Sequence, residues 1–376
     1  MVASILSALY EISRSSGRVV RVEESRQYTV SVESGDVEGS EVGVYELGRE
    51  YCTQTVPKGI VGVDSSSRVV DTPYMFIAVG SATGISRLGL KAFDIPSPSS
   101  ILTQGDHKYI LVIPEVQPFN YNVLEELGVE YKDPSSRPYP PEYNKALALE
   151  EHRVELENHV LENVLSWGEL VFLDGPLFLP THPVTEARGR SRLIDVYKEN
   201  WSLLMRRRLG IVEKIDSSTR VFGIVKRLQY THILSRNDPF KLGVEKVSDH
   251  AYLSILSERM FVGKKASPFA LGPIRVRSEI DGRKVDRSMW YICVPRRFVG
   301  GETGSYVFFR VETLGNTSSL GDIQPVLFDS VCAGAGIPLS IVIADQRVKR
   351  LSEAIARNVM LAVGVDREST LQYLSP

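Results

Sequence analysis

The strongest periodic signal in the chain lies between residues 144 and 167. Leu149, Leu156, Val160, Val164 and Trp167 recur at helical intervals and form one apolar stripe, so the spacing predicts a helix there. Gly168 ends the repeat, and the apolar run LVFL that follows predicts a buried strand ending at Asp174. Similar short runs predict strands over residues 60–63 (ending at Asp64), 74–79, 109–116 and 220–226. A second long helix is expected over about 186–209, and a last one from about 344 to 363. MWYICV and SYVFFRVE flank the Gly-rich VGGETG and predict a hairpin, while the proline-dense stretch 132–143 predicts a loop.

Early strands joined by short loops pair antiparallel, whereas strand–helix–strand crossovers give parallel neighbours. The element order therefore predicts an α/β fold, a mixed sheet flanked by helices. Two units are expected. Residues 1–57 hold an N-terminal helix (Ile5, Leu6, Leu9, Ile12) and a small β region suited to dimer or partner contact. Residues 58–376 form the main domain, with the hairpin and late helix as a C-terminal insertion.

Composition narrows the function classes. With 376 residues, 43% hydrophobic and 24% charged, the chain can bury a core without covalent staples. Its three cysteines, Cys52, Cys293 and Cys332, are far apart in sequence. That spacing excludes a disulfide scaffold and any CxxC zinc or redox motif, and points to a reducing, cytoplasmic setting. No apolar run approaches the roughly 20 residues of a membrane span, and the N-terminus lacks a basic start and a cleavage site. GSATG at 80–84 and GAGIP at 334–338 lack the residues of a phosphate-binding loop, so no bound nucleotide cofactor is expected.

The 44 basic and 46 acidic residues leave a net charge of −2, so any nucleic-acid binding must rely on local patches. The candidates are Arg188, Arg190 and Arg192 in ARGRSR, the triplet Arg206, Arg207 and Arg208, and Arg296 with Arg297. Phe178, Tyr197 and Trp201 lie near the first cluster and could stack on bases, although core packing is the plainer role for them.

Asp64 and Asp174 each end an apolar run and precede small turn-forming residues. Either alone is an ordinary turn cap. On neighbouring strands the two carboxylates repel unless a cation bridges them, and oxygen-only clusters suit Mg²⁺ or Mn²⁺. Glu155, at the edge of the apolar stripe of the intervening helix, is the expected third donor. His152, Glu155 and His159 have a spacing zinc could use, but HEXXH is absent and a surface role is the plainer one.

Five segments occur in one order: GVDSSSR around Asp64, HRVELE around Glu155, LVFLDGPL around Asp174, FGIVKRL around Lys226 and GIPLSIVIADQRVKRL around Asp345. Together, over about residues 58–352, they resemble the NurA nucleases, archaeal and bacterial DNA-end-processing enzymes with an RNase H-like fold. The resemblance implies a catalytic metal site of Asp64, Glu155, Asp174 and Asp345, holding two Mn²⁺ or Mg²⁺ ions, with Lys226 beside it balancing charge or touching the scissile phosphate. The family often has His where Asp345 stands, and Asp remains a good ligand for a hard cation.

The resemblance also implies 5′→3′ exonuclease action on single- and double-stranded DNA and endonuclease action on single strands. Its setting is DNA end resection in double-strand-break repair by homologous recombination, as a homodimer fed by a hexameric HerA-type ATPase. Two other readings stay open: a weakly active or inactive DNA-binding subunit of such a translocase, and another RNase H-like nuclease such as a resolvase or ribonuclease.

Overall fold

The density of Val, Ile and Ala between residues 60 and 86 favours extended backbone buried on both faces. The computed structural model describes residues 18–19, 36–38, 42–52, 59–71, 75–97, 107–117, 119–167, 170–179, 192–214, 220–261, 266–296 and 306–363. Within them the main strands are β1 (Gly43–Glu46), β2 (Ile60–Asp71), β3 (Met75–Ser86), β4 (Ala92–Ile95), β5 (His107–Pro114), β6 (Leu170–Asp174), β7 (Arg220–Val225), β8 (Phe269–Ile280), β9 (Arg283–Pro295) and β10 (Tyr306–Leu314). The long helices are α1 (Lys145–Val164), α2 (Arg192–Glu213), α3 (Asp249–Met260) and α4 (Leu339–Val363).

The strands form one large mixed sheet. Its order runs Asp36–Glu38, β8, β9, β10, β7, β6, β2, β3, β5, Val129–Glu130, with β1 pairing to β8 and β4 to β3. β6 lies parallel to both β2 and β7, while β2–β3, β3–β5 and β7–β10 are antiparallel.

Side chains alternate between the faces of a strand, and the two faces carry separate cores. Val61, Val63, Val171 and Leu173 pack with Val160 of α1 and Trp201 of α2. Ile60, Leu170 and Phe172 point the other way and pack with Ile341 of α4. Helices α1 and α4 therefore cover opposite faces of the central strands. This decides which residues can meet at the strand ends.

The sheet departs from the sequence expectations in four places. β2 does not stop at Asp64 but runs on to Asp71, because Ser65, Ser66 and Ser67 continue the ladder opposite Ala82, Ser81 and Gly80. The described strands of the region before residue 58, Asp36–Glu38 and Gly43–Glu46, pair with β8 and so extend the main sheet. β8 has no counterpart among the sequence expectations; it carries an irregularity between Leu271 and Ile274, around Gly272-Pro273. The β9–β10 hairpin pairs as expected but lies inside the sheet, against β7, and not as an appended insertion. The N-terminal helix expected around Ile5–Ile12 and the Gly-rich hairpin turn lie outside the described residues.

The cysteine expectation is corrected as well. The structure joins Cys52 to Cys332 in a disulfide across a sequence separation of 280. Distance along the chain said nothing about distance in space: the short helices Arg49–Cys52 and Phe328–Cys332 are packed together. Cys293 is a free, buried thiol.

Helix α1 starts where the Asn144 side chain accepts hydrogen bonds from the backbone N–H groups of Ala146 and Leu147, at 3.0 and 3.2 Å. It is buried on more than its apolar stripe, because α2 lies against it and supplies polar partners. Arg208, 1% exposed, donates to Glu157 at 2.7 Å and to Asn158 at 2.8 Å. Glu151 accepts from the Tyr139 and Tyr143 hydroxyls at 2.9 and 2.7 Å. Asn200 of α2 in turn donates to the Tyr143 hydroxyl at 2.8 Å, tying the proline-rich loop to both helices.

Burial dominates at Glu151 and pushes its carboxyl up to about 7, although its three hydrogen-bond donors pull the other way. A carboxyl whose folded value is raised contributes stability that is fully present below the unfolded value of 4.5 and is lost as the pH rises through about 7. Glu151→Gln keeps the acceptor and removes the titration. Thermal melts of the wild type are expected to lose Tm between pH 5 and pH 8, with a loss of up to about 1.4 kcal/mol per pH unit. The Gln variant is expected to lose clearly less; parallel pH profiles of the two proteins contradict the assignment.

Candidate active site

Val63 of β2 is in register with Leu173 of β6, so the next residues, Asp64 and Asp174, stand side by side. By strand alternation both share the face of Ile60 and Phe172, the face covered by α4. Asp345, in the second turn of α4, comes down onto the same point. One carboxylate oxygen from each of Asp64, Asp174 and Asp345 lies within 4.8 Å of the others.

The meeting depends on how closely α4 approaches β2. A Cβ at Gly62 would sit 2.2 Å from the Ser340 carbonyl oxygen, so only glycine lets the first turn of the helix rest on the strand. That turn is anchored by the buried Asp329, which accepts from the Ser340 backbone N–H at 2.8 Å and its hydroxyl at 2.6 Å. Arg87 pairs with the other Asp329 oxygen at 2.8 Å, and the Cys52–Cys332 disulfide lies in the same short helix as Asp329.

The site is electrostatically compressed. Burial, then the negative charges of Asp174 and Glu157, push Asp64 up to about 8. Burial also raises Asp174, against the pull of Lys226. Two ammonium groups partly offset the repulsion: Lys226 Nζ donates to Asp174 Oδ2 at 2.5 Å, and Lys349 Nζ to Asp345 Oδ2 at 2.7 Å. Three oxygen donors crowded into a half-dry pocket suit a hard divalent cation, and among the described residues no nitrogen or sulfur donor that would favour zinc or copper joins them. Asp64, Asp174 and Asp345 are therefore the residues that could hold a metal.

Around them opens a cleft of about 520 Å³, whose rim includes Arg68, Glu150, Arg153, Arg227 and Tyr230. Arg153 donates to the Ser65 hydroxyl and carbonyl at 3.2 and 3.1 Å, holding it beside Asp64.

Several sequence expectations fare differently. Asp64, Asp174, Lys226 and Asp345 are brought together. Glu155 is not: it is half-exposed, ion-paired with Arg207, and borders a separate pocket with Glu130 and His152. The physical reason is its place around α1: Glu150, Arg153 and Glu157, at helical spacing, share the side turned to the cleft, whereas Glu155 lies on another side, against Arg207. From α1 it is Glu150 that reaches the cleft, while Glu157 is held beneath it by the Ser65 hydroxyl at 2.5 Å. His152 is buried and bonded to the Lys108 carbonyl, and His159 is an exposed residue stacked on Phe93, so no zinc set forms there.

The Arg206–Arg208 triplet is also not a DNA patch. Arg206 pairs with Asp281, Arg207 with Glu155 and Glu162, and Arg208 is buried on Glu157. Arg188, Arg190 and Arg297 lie outside the described residues. Arg192 begins α2, its side chain outside the description, and Arg296 is exposed past the end of β9, away from the cleft lining. Lys349 was missed, although its position four residues after Asp345 on a helix was a readable signal.

The family model for the NurA domain matches residues 58–350, most of the chain. The chain belongs to the NurA family. No curated protein sequence matches it. Among solved structures, the NurA nuclease from Sulfolobus solfataricus is similar at 14% identity, over 86% of each chain, with a TM-score of 0.46. A NurA structure with manganese is 13% identical over 96% of this chain and 98% of its own, with a TM-score of 0.41. One bound to dAMP and manganese is 12% identical over 79% and 86%, with a TM-score of 0.43. The family membership rests on the 58–350 match alone. Within this NurA chain the acidic trio falls inside the matched span, and so do Gly62 and Lys226.

Gly62→Ala tests the close approach. The added methyl is expected to lift the first turn of α4, costing about 1–3 kcal/mol of stability, and to carry Asp345 away from Asp64. The Tm rise produced by Mn²⁺ in the wild type is then expected to shrink in the variant. An undiminished metal response contradicts the claim that this contact sets the site.

Proposed function

We propose that this NurA protein is a metal-dependent deoxyribonuclease that hydrolyses phosphodiester bonds at the cleft formed by Asp64, Asp174 and Asp345. The observation that carries the reading is the convergence of three carboxylates from β2, β6 and α4 within 4.8 Å. Asp64, Asp174 and Asp345 would hold divalent cations, Mn²⁺ or Mg²⁺ and two in number, which would supply Lewis acidity and an activated water for in-line displacement. The residues do the rest. Asp64 and Asp174, fixed side by side on paired strands, would fix where the cations sit and through them the reacting phosphate. Lys226 and Lys349 become available to it once their carboxylates are otherwise neutralised, and Arg68, Arg153 and Arg227 on the rim attract the flanking backbone without reading sequence.

The central strand order β5–β3–β2–β6–β7, two antiparallel pairs followed by two parallel ones, supports an RNase H-like reading of the fold. The same family reading extends to 5′→3′ exonuclease and single-strand endonuclease action in DNA end resection, as a homodimer working with a HerA-type hexameric translocase. The Asp at position 345 does not favour an inactive subunit, because its carboxylate joins the other two and adds a donor well suited to Mg²⁺ or Mn²⁺.

The test is cleavage of end-labelled duplex and single-stranded DNA with Mn²⁺, Mg²⁺ or EDTA, without ATP. Cleavage is expected with either metal and none with EDTA. Asp64→Asn is expected to lower the rate about 100-fold or more. Above pH 8 it should also raise the metal-free Tm, because it removes there a buried charge that burial, Asp174 and Glu157 oppose. Glu155→Gln, outside the cleft lining, is expected to cleave at close to the wild-type rate. An active Asp64→Asn protein sinks the metal-site model; an inactive Glu155→Gln protein restores the role the sequence suggested for Glu155.

A further inference from the structure

The aromatic residues that the sequence offered for base stacking are packed away: Phe178, Tyr197 and Trp201 are 3%, 7% and 7% exposed. The cleft has a different aromatic. Tyr230, on the short helix Leu228–Tyr230, is 43% exposed and lines the same cleft as Asp64, Asp174 and Lys226. The other large apolar side chains exposed among the described residues, Tyr45, Leu88 and Leu90, do not line it. The ring of Tyr230 is thus open to solvent at the mouth of the cleft, where a flat apolar ligand can cover it.

We infer that Tyr230 is a stacking platform for an unpaired nucleobase whose phosphate lies at the acidic trio. The inference rests on the reading of the cleft as a nucleic-acid site and adds the part of the ligand that the charged residues cannot recognise. Lys226 starts the connection: it touches Asp174, and four residues on, the chain has delivered Tyr230 to the rim, with Arg227 between them lining the same cleft. A phosphate bound at the carboxylates and lysines therefore leaves its base within the part of the cleft that Tyr230 borders. Every base offers a π face, so such a platform selects for a base free of its partner and not for sequence. It favours single strands and frayed ends over intact duplex.

The experiment reads binding with Ca²⁺ in place of Mn²⁺ or Mg²⁺, a cation that can fill the carboxylates through its looser coordination without supporting the tight geometry of cleavage, so that it does not depend on catalysis. Fluorescence anisotropy compares a labelled thymidylate pentanucleotide with an abasic pentamer of the same sugar–phosphate backbone, for the wild type, Tyr230→Phe and Tyr230→Ala. The wild type is expected to bind the base-bearing chain about 5-fold or more tightly than the abasic one. Tyr230→Ala is expected to erase that preference and Tyr230→Phe to keep it, with unchanged thermal melts in both.

Three results overturn the inference: no preference in the wild type, an equal loss on both pentamers in Tyr230→Ala, or a Phe variant as weak as Ala. Cleavage by the wild type and by Asp64→Asn separates this from the nuclease reading. Loss of the platform with metal-dependent cleavage intact removes Tyr230 only. A base preference that depends on Tyr230 in a protein that never cleaves removes the nuclease reading only.

Discussion

Mutual repulsion among Asp64, Asp174 and Asp345 is the constraint on which the rest of the site depends. Two parallel neighbours in a sheet, β2 and β6, bring two carboxylates together through backbone hydrogen bonds, which are indifferent to charge. The third arrives on a helix that needs its own anchorage, because nothing about a carboxylate draws it toward two others. That anchorage is visible in the missing side chain at Gly62, the buried Asp329 that caps Ser340, and the Arg87 that compensates Asp329. Each of these lies at the first turn of α4, one to two turns before the residue they position. The fold thus supplies, from apolar packing and a capped helix start, the force that holds like charges close.

The sequence disclosed the parts of this arrangement that are local. A short apolar run followed by Asp is legible because alternation acts over a few residues, and so Asp64 and Asp174 could be read directly, although β2 runs on past Asp64; Lys226 came from the resemblance. Glu155 could not be placed correctly, because which side of α1 turns to the cleft depends on how the helix packs. The apolar stripe shows the face most buried, but α1 also buries Glu151, Glu157 and Asn158, whose partners Tyr139, Tyr143, Asn200 and Arg208 come from a loop and from α2. A polar residue matched by a distant partner looks like a solvated one until the partner is known. The same holds for Cys52 and Cys332, and for β8, where Gly272-Pro273 is absorbed as an irregularity by pairing with β9.

Charge shows the difference most plainly. Arg206, Arg207 and Arg208 form the densest basic run in the described part of the chain, yet their carboxylate partners consume it. The cations of the cleft come instead from residues far apart in sequence, Arg68, Arg153, Arg227 and Lys349, of which Arg68 and Lys349 are themselves paired, with Glu353 and Asp345. Which cations share one side of a nearly neutral protein is therefore set by geometry, and no count of Lys and Arg discloses it.

Lys226 and Lys349 add a coupling to this picture. Each spends its charge on a carboxylate of the trio, so the site as it stands is partly self-neutralised and has little call on an anion. A divalent cation held by the trio, as the proposed function requires, would take over that neutralisation and release both ammonium groups for an anion in the cleft. Cation and phosphate would then share the same two lysines, so the affinity for one would rise with the other by linkage.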